Sequence, residues 1–170
     1  SHTTLPEPQQ KLARQLGSAS WHVRAEAAYR IGRRHYSSLL PQLLRATHDV
    51  HSEVRINASA ALGMLGGAQA CAALLHASTD RDSGVRGATL LGQHQERCRD
   101  VKTQSLRLLT TAEAGILERA AAILVLGDLG GPDAARVLLE VVDPPADGWV
   151  KVRHRDGALG YARAAHLWGV

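Results

Sequence analysis

One phrase recurs along this 170-residue chain and limits what it can fold into. Val23-Arg24 opens the first copy, which runs through Ala27-Ala28 to Ile31-Gly32. Val54-Arg55 opens the second, through Ala58 and Ala60-Ala61 to Leu62-Gly63. Val85-Arg86 opens a third, and Arg119 stands in a fourth ahead of Ala121-Ala122 and Leu126-Gly127. The four arginines follow one another at intervals of 31, 31 and 33 residues. A fixed period in this range marks a solenoid, in which each unit stacks on the next.

Each copy reads as two helices. From Ser52 to Leu65, the residues Val54, Ala58, Ala61, Leu62 and Leu65 recur at steps of three and four, the apolar face of an amphipathic helix. Ser52 is the expected N-cap, and Gly66-Gly67 supplies the left-handed conformation that ends helices. A second helix is expected over about 68–77, with counterparts at 37–46, 99–109 and 132–141, the last opened by Pro132 in its first turn. Asp49, Asp80 and Asp82 mark the loops that restart the cycle. Pro8 to Leu16 reads as a lone helix covering the N-terminal end. No pair can cover its own apolar face, so stacking has to build the core.

The pattern Val-Arg-x-x-Ala-x-x-Ala-Leu-Gly, followed by a second apolar helix, resembles the HEAT-type repeats of the phycobilisome-lyase subgroup. Residues 54–63 and 23–32 carry the resemblance, which extends over about 6–142. The third copy departs from it, because Leu90-Leu91-Gly92 arrives early and Gln93-His94 occupy the Leu-Gly positions. The fourth has Glu118 where the others have Val. The resemblance implies a mostly α, right-handed α-α solenoid whose second helices line a concave surface. The expected division is a capping helix over 1–16, four repeats over 17–142, a linker over 143–148 and a β segment over 149–170. Such repeats serve scaffolds, chaperones, lyase subunits and a few enzymes, so fold alone does not decide function.

The repeat arginine also serves as a ruler. Nineteen and twenty residues after it come Leu43-Leu44, Leu74-Leu75, Ser105-Leu106 and Leu138-Leu139, the expected buried side of the second helix. At +21 come Arg45, His76, Arg107 and Glu140; at +18, Gln42, Ala73, Gln104 and Val137. At +17 come Pro41, Ala72, Thr103 and Arg136, and at +14, Ser38, Gln69, Asp100 and Asp133. These offsets share one helical face. Gln42, Arg45, His76, Gln104, Arg107, Arg136 and Glu140 are therefore the candidate binding stripe. It is either a groove suited to an acidic protein partner or the solvated face that any solenoid must have.

After Asp143-Pro144-Pro145 the phrase stops. Asp147-Gly148 continues the turn-rich stretch, and Trp149 to His154 then alternates in the manner of a strand. Arg155-Asp156-Gly157 is a hairpin turn signal, with a return strand expected over 159–163. Trp149-Val150-Lys151-Val152-Arg153, Asp156-Gly157, Gly160-Tyr161 and Leu167-Trp168-Gly169 resemble the last third of a bacterial SH3-type barrel. The alternative is a degenerate fifth repeat, Val152-Arg153 leading to Ala158-Leu159-Gly160. Gly157 and Gly160 would weaken that helix by about 1 kcal/mol each. Trp149, Arg153, Tyr161 and Trp168 are the candidate second contact.

Charge argues against nucleic acid. Of the net +4, residues 149–170 hold +3, which leaves +1 on the remaining 148 residues. A duplex-binding surface gathers cations on one face. The start, Ser1-His2-Thr3-Thr4, shows no basic-then-apolar signal pattern, and no apolar run reaches the roughly 20 residues of a membrane span. Cys71 and Cys98 have no metal-ligand spacing. Cys71 is expected as a small buried hydrophobe in a reduced, cytoplasmic setting. His48, His51 and Glu53 share one loop and are either a divalent-ion site or solvated polar groups. No phosphate-binding loop, His-Glu-x-x-His or Gly-x-Ser-x-Gly is present. The expectation is a non-catalytic, cofactor-free scaffold that binds another protein. The rival is a lyase- or chaperone-type subunit that handles a tetrapyrrole or similar ligand.

Overall fold

The computed structural model describes residues 5–110, 114–131, 134, 139–141, 149–154 and 159–163. Among the described residues the elements, in chain order, are α1 (Glu7–Leu16), α2 (Trp21–Arg33), α3 (Leu40–Ala46), α4 (Ser52–Leu65), α5 (Ala68–Ala77), α6 (Ser83–Gln95), α7 (Val101–Thr110), α8 (Ile116–Leu129), β1 (Leu139–Val141), β2 (Trp149–His154) and β3 (Leu159–Arg163). The helical region is an α-α solenoid. Helices α2, α4, α6 and α8 carry the repeated phrase and stack in that order, with α3, α5 and α7 as the second helices and α1 packed on α2.

The glycine of the phrase sets how closely the first helices approach. A Cβ at Gly32 would lie 2.6 Å from the Cα of Ala61, and one at Gly63 would lie 2.5 Å from the Cα of Gly92. Only hydrogen fits at either crossing. In the third copy the same place holds His94, whose ring bonds to the Asp128 carboxylate of α8 at 2.7 Å.

Two apolar cores result. One runs from Leu12 through Ile31, Leu39, Leu43 and Leu62 to Leu74. The other gathers Leu90, Val101, Leu109, Ala121, Ala122, Val125, Leu126 and Ala134. Gln93 holds the position filled by Ile31, Leu62 and Leu126 in the other copies. It is buried, and neither its amide nitrogen nor its amide oxygen finds a partner among the described residues.

The cysteines correct the expectation of a lone buried thiol. Cys71 in α5 and Cys98 after α6 form a disulfide, with Cα atoms 5.8 Å apart. The turn ending α6 places Cys98 there, since Arg97 adopts φ 53° and the Cys98 N–H donates to the carbonyl of Gln93 at 2.8 Å. One repeat is roughly one vertical step of the stack. Two cysteines 27 residues apart are therefore brought level in neighbouring repeats.

Several boundaries also move. Helix α4 begins at Ser52 with His51 as its N-cap, and no side chain caps it. At its other end Gly66 takes φ 74°, as the sequence predicts. The helix expected over 132–141 is contradicted at Leu139–Val141, which form strand β1. The run Leu138-Leu139-Glu140-Val141-Val142 sets two valines and two leucines around one glutamate, so periodicity alone does not separate helix from strand there. β1 pairs antiparallel with β2, and β2 with β3, in the order β1-β2-β3. Residues 149–154 and 159–163 are strands, which is the hairpin and not a fifth helical repeat. The proline-rich linker and the hairpin turn lie outside the described residues.

Candidate functional site

The repeat arginine ties the stack together. The Arg24 guanidinium donates twice to Asp49, at 2.7 and 2.8 Å, and its third nitrogen donates to the carbonyls of Ser18 and Ala19. Arg55 does the same with Asp80, at 2.8 and 2.9 Å, and with the carbonyls of Asp49 and Val50. Each carboxylate then accepts one loop N–H, Asp49 from His51 and Asp80 from Asp82. Guanidinium and carboxylate are both planar forks, so the pairing is bidentate and directional.

The third arginine shows why the fourth copy lacks its valine. Twenty-five residues after Arg86 stands Thr111, which has no carboxylate. Glu118 supplies one instead, taking two bonds from Arg86 at 2.7 Å each and a third from the Gly115 N–H at 2.8 Å. Its side chain is almost wholly buried. Glu118 therefore takes for Arg86 the carboxylate role that Asp49 and Asp80 take for Arg24 and Arg55.

These contacts shift the carboxylates. Hydrogen bonds from Arg24 hold Asp49 below its ordinary range, and those from Arg86 do the same for Glu118. For Asp80, burial alone pushes upward, but the bonds from Arg55 and from the Asp82 N–H outweigh it and the net shift is downward.

The candidate stripe lies on the second helices, and the clefts beside it reach the arginine ladder at Asp80 and at Arg86–Glu118. Arg45, His76 and Arg107 are exposed on α3, α5 and α7, and Gln42 and Gln104 are half-buried beside them. Leu43, Leu74 and Ser105 at +19 are buried as expected, but Leu75 at +20 is 56% exposed. These short helices turn only a narrow face inward, so the second residue of each pair falls at its edge. Two clefts open along this side. One, of about 430 Å³, is lined by Leu44, His48, Ala73, His76, Thr79 and Asp80, among others. The next, of about 290 Å³, includes Leu75, Ser78, Leu90, Gln104, Arg107 and Leu108. Leu75 and Thr79 were not legible as site residues because their exposure depends on helix length and not on period.

Other expected positions fall elsewhere. Glu140 lies in β1 opposite Arg153 and so leaves the helical stripe. Arg136 and Trp168 lie outside the described residues. Trp149 pairs in register with Arg163, and Tyr161 with Lys151. The His48/His51/Glu53 loop does not converge. The His51 ring stacks on Trp21 with centroids 4.0 Å apart, and His48 meets His76 edge-on at 5.6 Å. Among the described residues, no three His, Cys, Asp or Glu side chains gather to hold a metal ion. No described helix is long and apolar enough to cross a membrane.

The stacked helix pairs and the arginine ladder define a HEAT-like repeat protein. Residues 10–92 match the family model for HEAT repeats, and residues 118–144 match that for the PBS lyase HEAT-like repeat. Residues 134–169 match the bacterial SH3 domain, so this match begins ahead of β1, within the expected fourth repeat. Among solved structures, the complex of CpcE and CpcF of phycocyanin lyase from Nostoc sp. PCC7120 is similar at 21% identity and a TM-score of 0.62. The match covers 81% of this chain and 59% of that one, and it shows a shared fold. No curated protein matches the chain.

Proposed function

We propose that the chain is a non-catalytic scaffold that binds another protein along the exposed face of its second helices. The observation that carries this reading is the placement of Arg45, His76 and Arg107 at one offset on three successive helices, all solvent-facing. Between those helices run clefts whose walls mix leucine and alanine with polar groups. An acidic segment lying along the face would meet Arg45 and Arg107, with Gln42 and Gln104 as neutral hydrogen-bonding groups. Arg136 and Glu140, expected to continue the stripe, are not required by this reading. The β segment, with Trp149, Arg153, Tyr161 and Trp168, provides a second contact. In this division residues 1–16 cap the array, 17–142 form the repeats, 143–148 link and 149–170 carry the appendage, with β1 reaching back into the fourth repeat.

The test is a pull-down from the native host with the wild type and with Arg45→Glu/Arg107→Glu. Loss of the retained protein at an unchanged melting temperature supports the reading, and unchanged retention overturns it. A tetrapyrrole-handling subunit is the second reading, favoured by the lyase-type repeat at 118–144 and the fold shared with a phycocyanin lyase. Visible absorbance acquired on incubation with a bilin distinguishes it. Because disulfides persist in oxidising compartments, the working compartment is best read from the redox state of Cys71 and Cys98 in the host. A cytoplasmic setting predicts that the pair is found reduced there.

A further inference from the structure

The turn between α6 and α7 is one the backbone does not favour unaided. It holds two non-glycine residues in the left-handed region, Arg97 at φ 53° and Asp100 at φ 66°. A residue with a Cβ stays there only when its surroundings impose it. Just ahead of the turn Gln93 is buried, with neither amide atom partnered among the described residues. Two ties hold the turn against α5. Cys98 is bonded to Cys71, and the Glu96 carboxylate accepts from the N–H of Gly67, the N-cap of α5, at 3.1 Å.

Helix α7 takes its start from that turn. Among the described residues α5 packs on both α4 and α6, whereas α7 packs chiefly on α8 and only lightly on α6. The Asp100 carbonyl accepts the Gln104 N–H at 3.0 Å, so a left-handed residue opens the first turn of α7. Gln104 and Arg107 of α7 face Leu75 of α5 and its C-cap Ser78 across the cleft of about 290 Å³. The geometry of the turn therefore sets one wall of that cleft.

The bond lies where a reductant can meet it. Both cysteines are half-buried. A cleft of about 860 Å³ opens beside His94, Arg97, Lys102 and Asp128, and of the two cysteines only Cys98 lines it.

We propose that Cys71–Cys98 is a reversible redox latch that sets the alignment of α7 with α5. Its consequence for docking rests on the reading of the second-helix face given above. A thiolate of a dithiol reductant attacks Sγ of Cys98 from the cleft. The S–S bond breaks, and Cys71 leaves with the electron pair and takes up a proton. The second thiol of the reductant then attacks the mixed disulfide, which frees Cys98 as a thiol and closes the reductant's own disulfide. Once freed, the turn relaxes from its left-handed residues, the start of α7 shifts and the α5–α7 cleft changes width. A small-molecule disulfide reverses the exchange.

The test uses the full chain with spin labels carried on p-acetylphenylalanine at Ala72 and Thr103, which share one offset on α5 and α7. A second pair, at Pro41 and Ala72, reports on α3 and α5. Dithiothreitol under native conditions should free both thiols. The α5–α7 distance distribution should then shift or broaden while the α3–α5 distribution stays as it was. Oxidised glutathione should restore the starting pattern. Trypsin cleavage after Arg97 or Arg99 should rise roughly tenfold on reduction, with cleavage after Arg81 in the α5–α6 loop unchanged. Cys98→Ser should give the reduced pattern with or without dithiothreitol. An α5–α7 distance indifferent to reduction overturns the proposal. So does loss of both distances together, since the bond is then a staple of the whole fold. So does a bond reduced only in denaturant, since Cys98 is then out of reach. None of these readouts needs a partner, so a failure here is distinct from a failure of the pull-down.

Discussion

The first two repeats and the last two are built from one phrase but are held together differently. Between α2 and α4, and between α4 and α6, helix backbones cross at Gly32–Ala61 and Gly63–Gly92 with no room for a side chain. Between α6 and α8 the crossing glycine is replaced by His94, paired with Asp128. The first half keeps Ile31 and Leu62 in one continuous core. In the second half Gln93 interrupts that core, which resumes only at Leu90 and Leu126. A disulfide from Cys71 to Cys98 then spans the junction. The Glu96 carboxylate adds a bond from the Gly67 N–H at 3.1 Å. Regular repeats rely on close packing. Every junction keeps its arginine–carboxylate pair; the α4–α6 junction adds the disulfide to its close packing, and the α6–α8 junction adds the His94–Asp128 pair.

This contrast can be broken from either side. The largest effect is expected in the regular half, where Arg55 and Asp80 are both largely buried. Arg55→Ala strands Asp80 and uncaps two loop carbonyls, so it should cost about 3–5 kcal/mol in chemical denaturation. The ladder makes the same demand of Glu118 in the irregular half, so Glu118→Ala should cost a similar amount.

Removing the disulfide comes next. The bond closes a segment of 27 residues, and loop-closure entropy puts its contribution at about 3 kcal/mol. Cys71→Ser/Cys98→Ser should lower the melting temperature accordingly, and the loss should localise to α6–α8. Gln93→Leu should act in the opposite direction. It replaces an unpartnered buried amide with the residue the other copies use, and should stabilise by about 1–2 kcal/mol. If it destabilises instead, Gln93 is bonded to buried water and the interruption of the core is only apparent.

The smallest effect is that of pH. Asp49, Asp80 and Glu118 titrate below their ordinary values in the fold, so the folded state binds fewer protons than the unfolded chain. Their contribution is complete above the unfolded carboxylate range of about pH 4. It is lost as pH falls through the lower folded values. A melting temperature that is flat from pH 7 to 5 and declines below about 4 is the expected profile.

Much of this architecture was legible because the repeat fixes one helix onto another. Counting from Arg24, Arg55 and Arg86 located the buried Leu43 and Leu74 and the exposed Arg45, His76 and Arg107. The role of the arginines was not legible, since their partners Asp49 and Asp80 lie 25 residues away and read only as loop formers. Glu118 departs from the phrase, yet it is the carboxylate with which Arg86 pairs. Cysteines 27 residues apart carry no disulfide signal of their own; only the 31-residue repeat brings them level in neighbouring units. Strand β1 is not legible in the sequence because Leu139-Glu140-Val141 suits helix and strand alike until its partner, Val152 to His154, is known.

Hydrogen exchange of the oxidised and reduced chain tests the central contrast most directly, since it reads local opening repeat by repeat. On reduction, amides of α6, α7 and α8 should exchange as a separate, less protected unit, while α2 and α4 keep the protection they have in the oxidised protein. Equal loss of protection along all the helices, or none in either half, would contradict a junction at Gln93 secured by Cys71–Cys98.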